Sequence, residues 1–171
     1  DDTAAILLVD SNLQRENILP SEKAFAYKLK MEALKHQGKT TSCQIGTKLE
    51  NGRSDELIAT NSTDSARQIQ RYIRLTNLIP ELLQLVDDGF IHDKRTYLTL
   101  GITTAVELSY LSKDAQKLVY YTIGYEAATP SYAQALRIRK LAEKKKLDFD
   151  ALEKILCEEK GNQHEKISFN K

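Results

Sequence analysis

The pattern of apolar and polar residues is helical along most of the chain. Apolar side chains recur every three or four residues, as they do on one face of an α-helix. The ranges predicted to be helical are residues 20–37, 41–49, 55–60, 65–75, 80–88, 103–112, 113–126, 130–146 and a last helix that Asp148 or Asp150 caps. Residues 4–10 form a brief apolar run that could be a buried strand. The predicted fold class is therefore all-α, with a short extended N-terminal segment.

Glycines and capping residues predict where these helices begin and end. Gly38 and Gly89 are natural stops for the helices that precede them. The predicted N-caps are Thr103 or Thr104 for one helix and Thr129, which precedes a proline, for the next. Residues 90–101 are compatible with a loop, a short hairpin or a lengthened helix connection.

Residues 65–75 are organised as an amphipathic helix with a basic face. At 100° per residue, the side chains that share one arc of about 100° are Arg67, Gln70, Arg71 and Arg74. The opposite arc carries Ile69, Tyr72 and Ile73. One face is thus apolar enough to dock on a core, and the other offers three guanidinium groups and an amide.

The residues before this helix have the spacing of a helix-turn-helix. Ala59 lies in the short predicted helix 55–60, ten residues before Ile69, and a small residue there lets the second helix cross closely. Candidates for the N-cap of the second helix are Ser62, Thr63 and Asp64. Thr63 stands where the tight turn usually has glycine, so we expect a longer turn with Asn61 in a left-handed conformation.

Arginine and glutamine on one helix face have the chemistry of base recognition. Arginine pairs in a bidentate manner with guanine O6 and N7, and glutamine pairs similarly with adenine, in a groove that admits one helix. The alternative is a solvated basic face on an ordinary surface helix. Spacing by itself leaves both interpretations open.

Composition adds few constraints on function. The formal net charge is only +1, so any surface that attracts nucleic acid must be local. No apolar run approaches the ~20 residues of a membrane span, and no signal peptide is recognisable, so we expect a cytoplasmic protein. Cys43 and Cys157 lack a metal-binding spacing, and we expect both to be unpaired in a reducing compartment. Because the chain begins at Asp1, we expect it to be a fragment of a longer protein.

The remaining polar clusters do not predict an enzyme. The three histidines are scattered without ligand spacing, and no nucleophile has a recognisable base or phosphate loop beside it. A basic cluster late in the chain includes Arg137, Arg139, Lys140 and residues 144–146. It could contact DNA phosphates, or it could be a solvated helix end, where cations are favourable. We therefore expect no catalytic residue, metal or cofactor in this chain.

Residues 12–16, 65–75 and 105–108 form an ordered set of motifs that resembles the ParB/KorB-like partition proteins. Residues 12–16, Asn-Leu-Gln-Arg-Glu, resemble the box that ends their nucleotide-binding domain, and residues 71–75, Arg-Tyr-Ile-Arg-Leu, resemble the exit of their recognition helix. Residues 105–108, Ala-Val-Glu-Leu, stand where the family has a further helix beside DNA. The order and approximate spacing agree across residues 12–111.

The resemblance implies a centromere-like (parS-type) or operator palindrome as partner, in partition or transcriptional regulation. By position, the groove-facing candidates are Ser65, Ala66, Arg67, Gln68, Gln70 and Arg71, with Arg74 nearer the phosphates. Secondary candidates outside the recognition helix are Thr104, Val106 and Glu107; Glu107 could accept from cytosine N4 or only order a nearby arginine. The resemblance also implies a homodimer in the intact protein, a ParA-type ATPase as partner, and location at the nucleoid or a plasmid.

The resemblance divides the chain and leaves alternatives. Residues 1–19 would be the remnant of a nucleotide-binding domain, residues 20–127 the DNA-binding domain and residues 128–171 a C-terminal helical subdomain with a polar tail. In the intact protein Asn12 and Arg15 could belong to a cytidine triphosphate site, but Ser11 replaces the usual acidic residue and the phosphate motifs are missing. The alternatives are therefore a nucleotide-switched DNA clamp in the intact protein and a helical interaction scaffold without DNA.

Overall fold

The computed structural model describes residues 9–40, 54–91 and 98–158 of the chain, apart from residues 14, 16 and 61. Within this part the chain is helical and forms no strand. After a helical segment at residues 9–13, the helices are α1 (Pro20–Thr40), α2 (Ser54–Thr60), α3 (Ala66–Leu75), α4 (Pro80–Ile91), α5 (Ile102–Leu108), α6 (Lys113–Glu126), α7 (Tyr132–Glu143) and α8 (Phe149–Leu156). The predicted all-α fold class is confirmed.

Four of the described helices begin at a residue whose side-chain oxygen accepts a hydrogen bond from a backbone N–H three residues later. These N-caps are Ser65 of α3, Ser112 of α6, Ser131 of α7 and Asp148 of α8. Each bond satisfies an N–H that the start of a helix leaves without an intrahelical partner. The predicted cap at Asp148 is confirmed. The predicted caps at residues 62–64 and at Thr129 are wrong, because the serine next to each helix takes that place.

Two predicted helix ends are wrong because the glycines there do not stop the helix. α1 continues through Gly38, and α4 continues through Gly89 to Ile91. A Cβ at Gly89 would lie 3.2 Å from the Thr99 Cβ. Thr99 therefore packs directly on α4, and the Leu100 N–H donates to the Leu85 carbonyl at 2.9 Å. At this position the glycine permits a close approach of two backbone segments.

The region around α5 also differs from its predicted bounds. α5 begins after Gly101, not after Thr103 or Thr104, and it ends at Leu108, so a short connection separates it from α6. Near the N-terminus Val9 and Asp10 are helical, which makes the predicted extended conformation wrong for these two residues. The predictions for residues 4–8, residues 41–49 and Asn61 lie outside the described residues.

One hydrophobic core connects the described helices. Its fully buried side chains include Tyr27 of α1, Ile69 of α3, Leu82 of α4, Leu108 of α5, Ile123 of α6, Ile138 of α7 and Leu152 of α8. α7 packs on α5, and α8 packs on α6. The predicted subdomain from residue 128 onwards therefore shares its described core with the rest of the chain. This common core sets the position of α3 relative to α5 and α7.

Candidate nucleic-acid interface

α3 lies across α1, with α2 and α5 beside it, and shows a buried and an exposed face. Ile69, Tyr72 and Leu75 are buried, and the Tyr72 ring lies 6.0 Å from the Tyr27 ring of α1. Ile73, predicted for the same face, is only half-buried. The buried face is therefore rotated slightly towards Leu75, and the arginines point away from the core as the helical pattern predicts.

Two arginines on the outer face of α3 have no carboxylate partner among the described residues. Arg67 is exposed, and Arg71 is half-buried with one guanidinium N–H directed at the Gln68 Oε1, 3.4 Å away. No acidic residue occurs within α3 itself. The positive charge on this face is therefore not neutralised by a direct ion pair in the described part of the chain.

The two glutamines of α3 are held in defined places by their neighbours. Gln70 donates from Nε2 to the Asp55 carboxylate of α2 at 3.0 Å. Because a carboxylate can only accept, this bond assigns the amide nitrogen to the Asp55 side. Gln70 keeps its carbonyl oxygen and one N–H for another partner. Gln68 keeps its amide N–H groups, since the contact with Arg71 uses only its oxygen.

Arg74 is attached to the connection between α5 and α6. Its Nε donates to the Ser109 hydroxyl at 3.1 Å, and its Nη2 donates to the Ser109 carbonyl at 3.3 Å. Its guanidinium carbon lies 3.9 Å from the centre of the Tyr110 ring. Arg74 therefore has a fixed orientation, in contrast to Arg67, for which the described residues provide no such support.

The connection that leads from α2 into α3 is held by a polar network on α1. The Tyr27 hydroxyl donates to the Asp64 carboxylate at 2.7 Å and lies 2.8 Å from the Ser62 hydroxyl, while Lys23 forms an ion pair with Asp64 at 3.0 Å. Burial of the Tyr27 hydroxyl, together with the nearby Asp64 charge, raises the pKa of Tyr27 well above its ordinary value. The network keeps the hydroxyl protonated and fixes the start of α3.

The three secondary candidates on α5 are less accessible than the resemblance implies. Thr104 is only 6% exposed, so burial leaves little of its side chain accessible to DNA. Val106 is half-buried and packs against the core. Glu107 accepts a hydrogen bond from Arg139 of α7 at 3.0 Å. Of the two roles considered for Glu107, this geometry corresponds to ordering an arginine.

The arginines of the late basic cluster are bound to acidic side chains. Arg137 forms a two-pronged ion pair with Glu158, in which the Nη2 to Oε1 distance is 2.8 Å. Arg139 contacts Glu143 at 3.0 Å as well as Glu107. Both ion pairs raise the pKa of the arginine concerned. Lys140 is exposed and has no such partner among the described residues.

Asn12 and Arg15 lie at the N-terminal side of α1, where they are exposed. Arg15 lines a cleft of about 750 Å³ together with Lys23, Tyr27 and Thr63. Asn12 lines a smaller apolar cleft of about 430 Å³ next to it. The cleft beside Arg15 reaches the connection in front of α3, so the N-terminal box and the candidate interface are neighbours.

Three residues that the sequence did not single out support the side chains of this surface. Asp55 orients Gln70, and Ser109 and Tyr110 hold Arg74. Ser109 and Tyr110 are 35 or more positions from Arg74 in the chain, so no local spacing connects them. Tyr110 lies two residues before the Ser112 cap, but this position does not by itself indicate that its ring contacts an arginine.

Comparison of the chain with protein-family models, curated proteins and solved structures finds no match. No helix in the described ranges has the length and hydropathy that a membrane span requires. Within the described ranges, no three His, Cys, Asp or Glu side chains are grouped as metal ligands. Cys157 is a free, exposed thiol that donates to Glu126 at 2.9 Å, and this bond raises its pKa.

Proposed function

We propose that this chain is a double-stranded DNA-binding module. In this proposal α2 and α3 form a helix-turn-helix, and α3 enters the major groove as the recognition helix. The main support is the outer face of α3, where Arg67 and Arg71 have no carboxylate partner in the described part of the chain. A helix with one buried apolar face and one unpaired cationic face is suited to a polyanionic groove.

The side chains on this face match the hydrogen-bonding groups of bases. An arginine fork fits guanine O6 and N7, and the remaining carbonyl and N–H of Gln70 fit adenine N6 and N7. Ser65 and Ala66 lie at the N-terminal end of α3, the part of a recognition helix that approaches base edges in this motif. Arg74 lies at the other end of the helix, where we assign it to a phosphate.

The biological role that we propose rests on the resemblance to ParB/KorB-like proteins. The module would bind a parS-type or operator palindrome, with one protomer on each half-site, in plasmid or chromosome partition or in transcriptional regulation. A homodimer and a ParA-type ATPase partner would then involve the intact protein, which would be located at the nucleoid or on a plasmid. We propose no enzymatic activity for the chain.

The proposal is tested first by selection of bound sequences from random duplex DNA. We expect a palindrome to emerge, because two copies of the module would read adjacent half-sites with the same side chains. Binding should weaken as salt rises, since each phosphate contact releases counterions. Absence of salt-dependent binding even at low ionic strength would contradict the proposal and favour a helical interaction scaffold.

Arg71→Ala is the point mutation that tests base recognition. It should reduce affinity for the selected site by about 1–3 kcal/mol and relax specificity at one base pair. Fluorescence anisotropy on the selected and scrambled duplexes measures both effects. Lys154→Ala, which removes one positive charge from the exposed side of α8, serves as the control. Equal loss on both duplexes would make Arg71 a phosphate contact.

A further inference from the structure

The ring of Tyr110 contacts two guanidinium groups from different helices. The guanidinium carbon of Arg74, from α3, lies 3.9 Å from the ring centre, and that of Arg139, from α7, lies 3.8 Å from it. Tyr110 stands in the connection between α5 and α6 and is 47% exposed. An aromatic face attracts a cation through its quadrupole, so both contacts are favourable. The ring therefore joins three parts of the fold at the surface.

The two arginines differ in how their charge is balanced. Arg139 contacts Glu107 and Glu143, each at 3.0 Å, so its charge is compensated by two carboxylates. The polar partners of Arg74 are the hydroxyl and the carbonyl of Ser109, which are both neutral. Arg139 is thus an anchored support for the Tyr110 ring, and Arg74 keeps its positive charge for an external anion.

Arg74 also keeps hydrogen-bond donors for such an anion. A guanidinium has five N–H groups in a planar fork, and the two bonds to Ser109 use two of them. The remaining three N–H groups belong to the guanidinium whose carbon lies 3.9 Å from the centre of the Tyr110 ring. A side chain with free donors and little rotational freedom loses less entropy when it binds than an unrestrained arginine does.

We infer that Tyr110 is a positioning residue for DNA binding, which holds the Arg74 guanidinium ready for a backbone phosphate beside the groove that α3 enters. This inference rests on the proposed function, and it adds a residue outside the recognition helix. Tyr110 acts through Arg74 and does not itself contact a base. The support continues from Tyr110 through Arg139 to Glu107, so that α5 and α7 contribute to the interface without touching DNA.

The inference is tested by a double-mutant cycle with Tyr110→Ala and Arg74→Ala on the selected duplex. Tyr110→Ala should reduce affinity by about three- to tenfold, the range of a partly exposed cation–aromatic contact. Arg74→Ala should lower the slope of log affinity against log salt by about one unit. In the Arg74→Ala background, Tyr110→Ala should change affinity by less than about twofold, because the residue through which it acts is gone.

Conservative and control variants separate positioning from folding. Tyr110→Phe retains the ring and should retain affinity, whereas Tyr110→Leu retains bulk without an aromatic face and should behave like Tyr110→Ala. Tyr125→Ala removes another exposed tyrosine, on α6 against Phe149, and should leave DNA binding unchanged. Thermal melting of every variant shows whether it folds, and Tyr110→Leu replaces Tyr110→Ala in the cycle if the alanine variant does not.

Each outcome separates the inference from the proposed function. If the wild-type chain binds the duplex, but Tyr110→Ala reduces affinity equally in the wild-type and Arg74→Ala backgrounds, the inference is overturned and the proposed function is not. The same holds if loss of the ring has no effect, or if Tyr110→Phe is as harmful as Tyr110→Ala, since the hydroxyl would then be the important group. A wild-type chain that binds no duplex would overturn the proposed function and the inference together.

Discussion

Among the described helices, α3 and α7 each carry a cluster of positive charge, and the two clusters have different surroundings. α3 has three arginines and no acidic residue, whereas α7 has Arg137, Arg139 and Lys140 followed by Glu143. The α7 arginines are bound by Glu158, Glu143 and Glu107. On α3, by contrast, Arg67 and Arg71 have no carboxylate partner in the described ranges.

The comparison shows that the number of cations on a helix does not by itself indicate an anion-binding surface. A carboxylate within hydrogen-bond distance cancels the field of an arginine and uses its N–H donors, so an incoming phosphate must compete with it. The α3 arginines do not require this competition. The decisive feature is therefore which acidic residues the fold brings within reach of each helix.

The largest expected effect is on stability and concerns the hydrophobic core that α3 and α7 share. Ile69 of α3 and Ile138 of α7 are both fully buried in the same core. Replacing either by alanine should lower the free energy of unfolding by about 2–5 kcal/mol, because each truncation leaves a cavity. Urea denaturation followed by circular dichroism measures this. A single transition that shifts for both variants is expected, and two independent transitions would mean that the helices do not belong to one cooperative unit.

Gln68→Glu would give α3 a carboxylate next to an arginine, as α7 has. Gln68 already contacts Arg71 through its Oε1, so the isosteric glutamate would supply a carboxylate to that arginine. We expect affinity for the selected duplex to fall by about 1–3 kcal/mol and the salt slope to decrease. Lys154→Gln, on the exposed side of α8, changes the net charge by the same amount as a control. Unchanged binding by Gln68→Glu would show that Arg71 does not need a free guanidinium.

Tyr27→Phe tests the polar network that holds the start of α3. The start of α7 is held differently, by a capping box that Ser131 and Gln134 form. Loss of the hydroxyl should destabilise the protein by about 1 kcal/mol near neutral pH. Because the folded-state pKa of Tyr27 is raised, its stabilising contribution is complete below the ordinary value near 10 and declines above it. The stability difference between wild type and variant should therefore shrink above pH 10. A difference that stays constant to pH 11 would contradict this linkage.

The smallest expected effect comes from releasing an α7 arginine. Glu158→Gln removes the carboxylate that binds Arg137. Non-specific DNA affinity at low salt should rise by about two- to fourfold, since one more exposed guanidinium becomes available. Anisotropy with a scrambled duplex detects this change, with Glu153→Gln on α8 as the charge-matched control. An equal rise in both variants would indicate a general effect of net charge.

Much of the helical architecture was predictable from local pattern. The apolar spacing identified α3, α6 and the Asp148-capped α8, because burial of one face and capping of the first turn are local properties. The sequence was misleading at Gly89, which permits the close approach of Thr99 and does not end the helix. The burial of Thr104 was likewise not visible in the local pattern, since it depends on helices that lie far away in the chain.

The helical period and the residue types predict the all-α fold class and an α3 with one apolar and one cationic face, because both depend on local pattern. Which cations remain available to a partner depends instead on how the helices pack. Glu107 meets Arg139, and Tyr110 meets Arg74, across more than 30 positions of the chain. Such pairings are set by the packing of α5 against α3 and of α7 against α5, because ion pairs and cation–aromatic contacts depend on distance in space and not on separation in sequence.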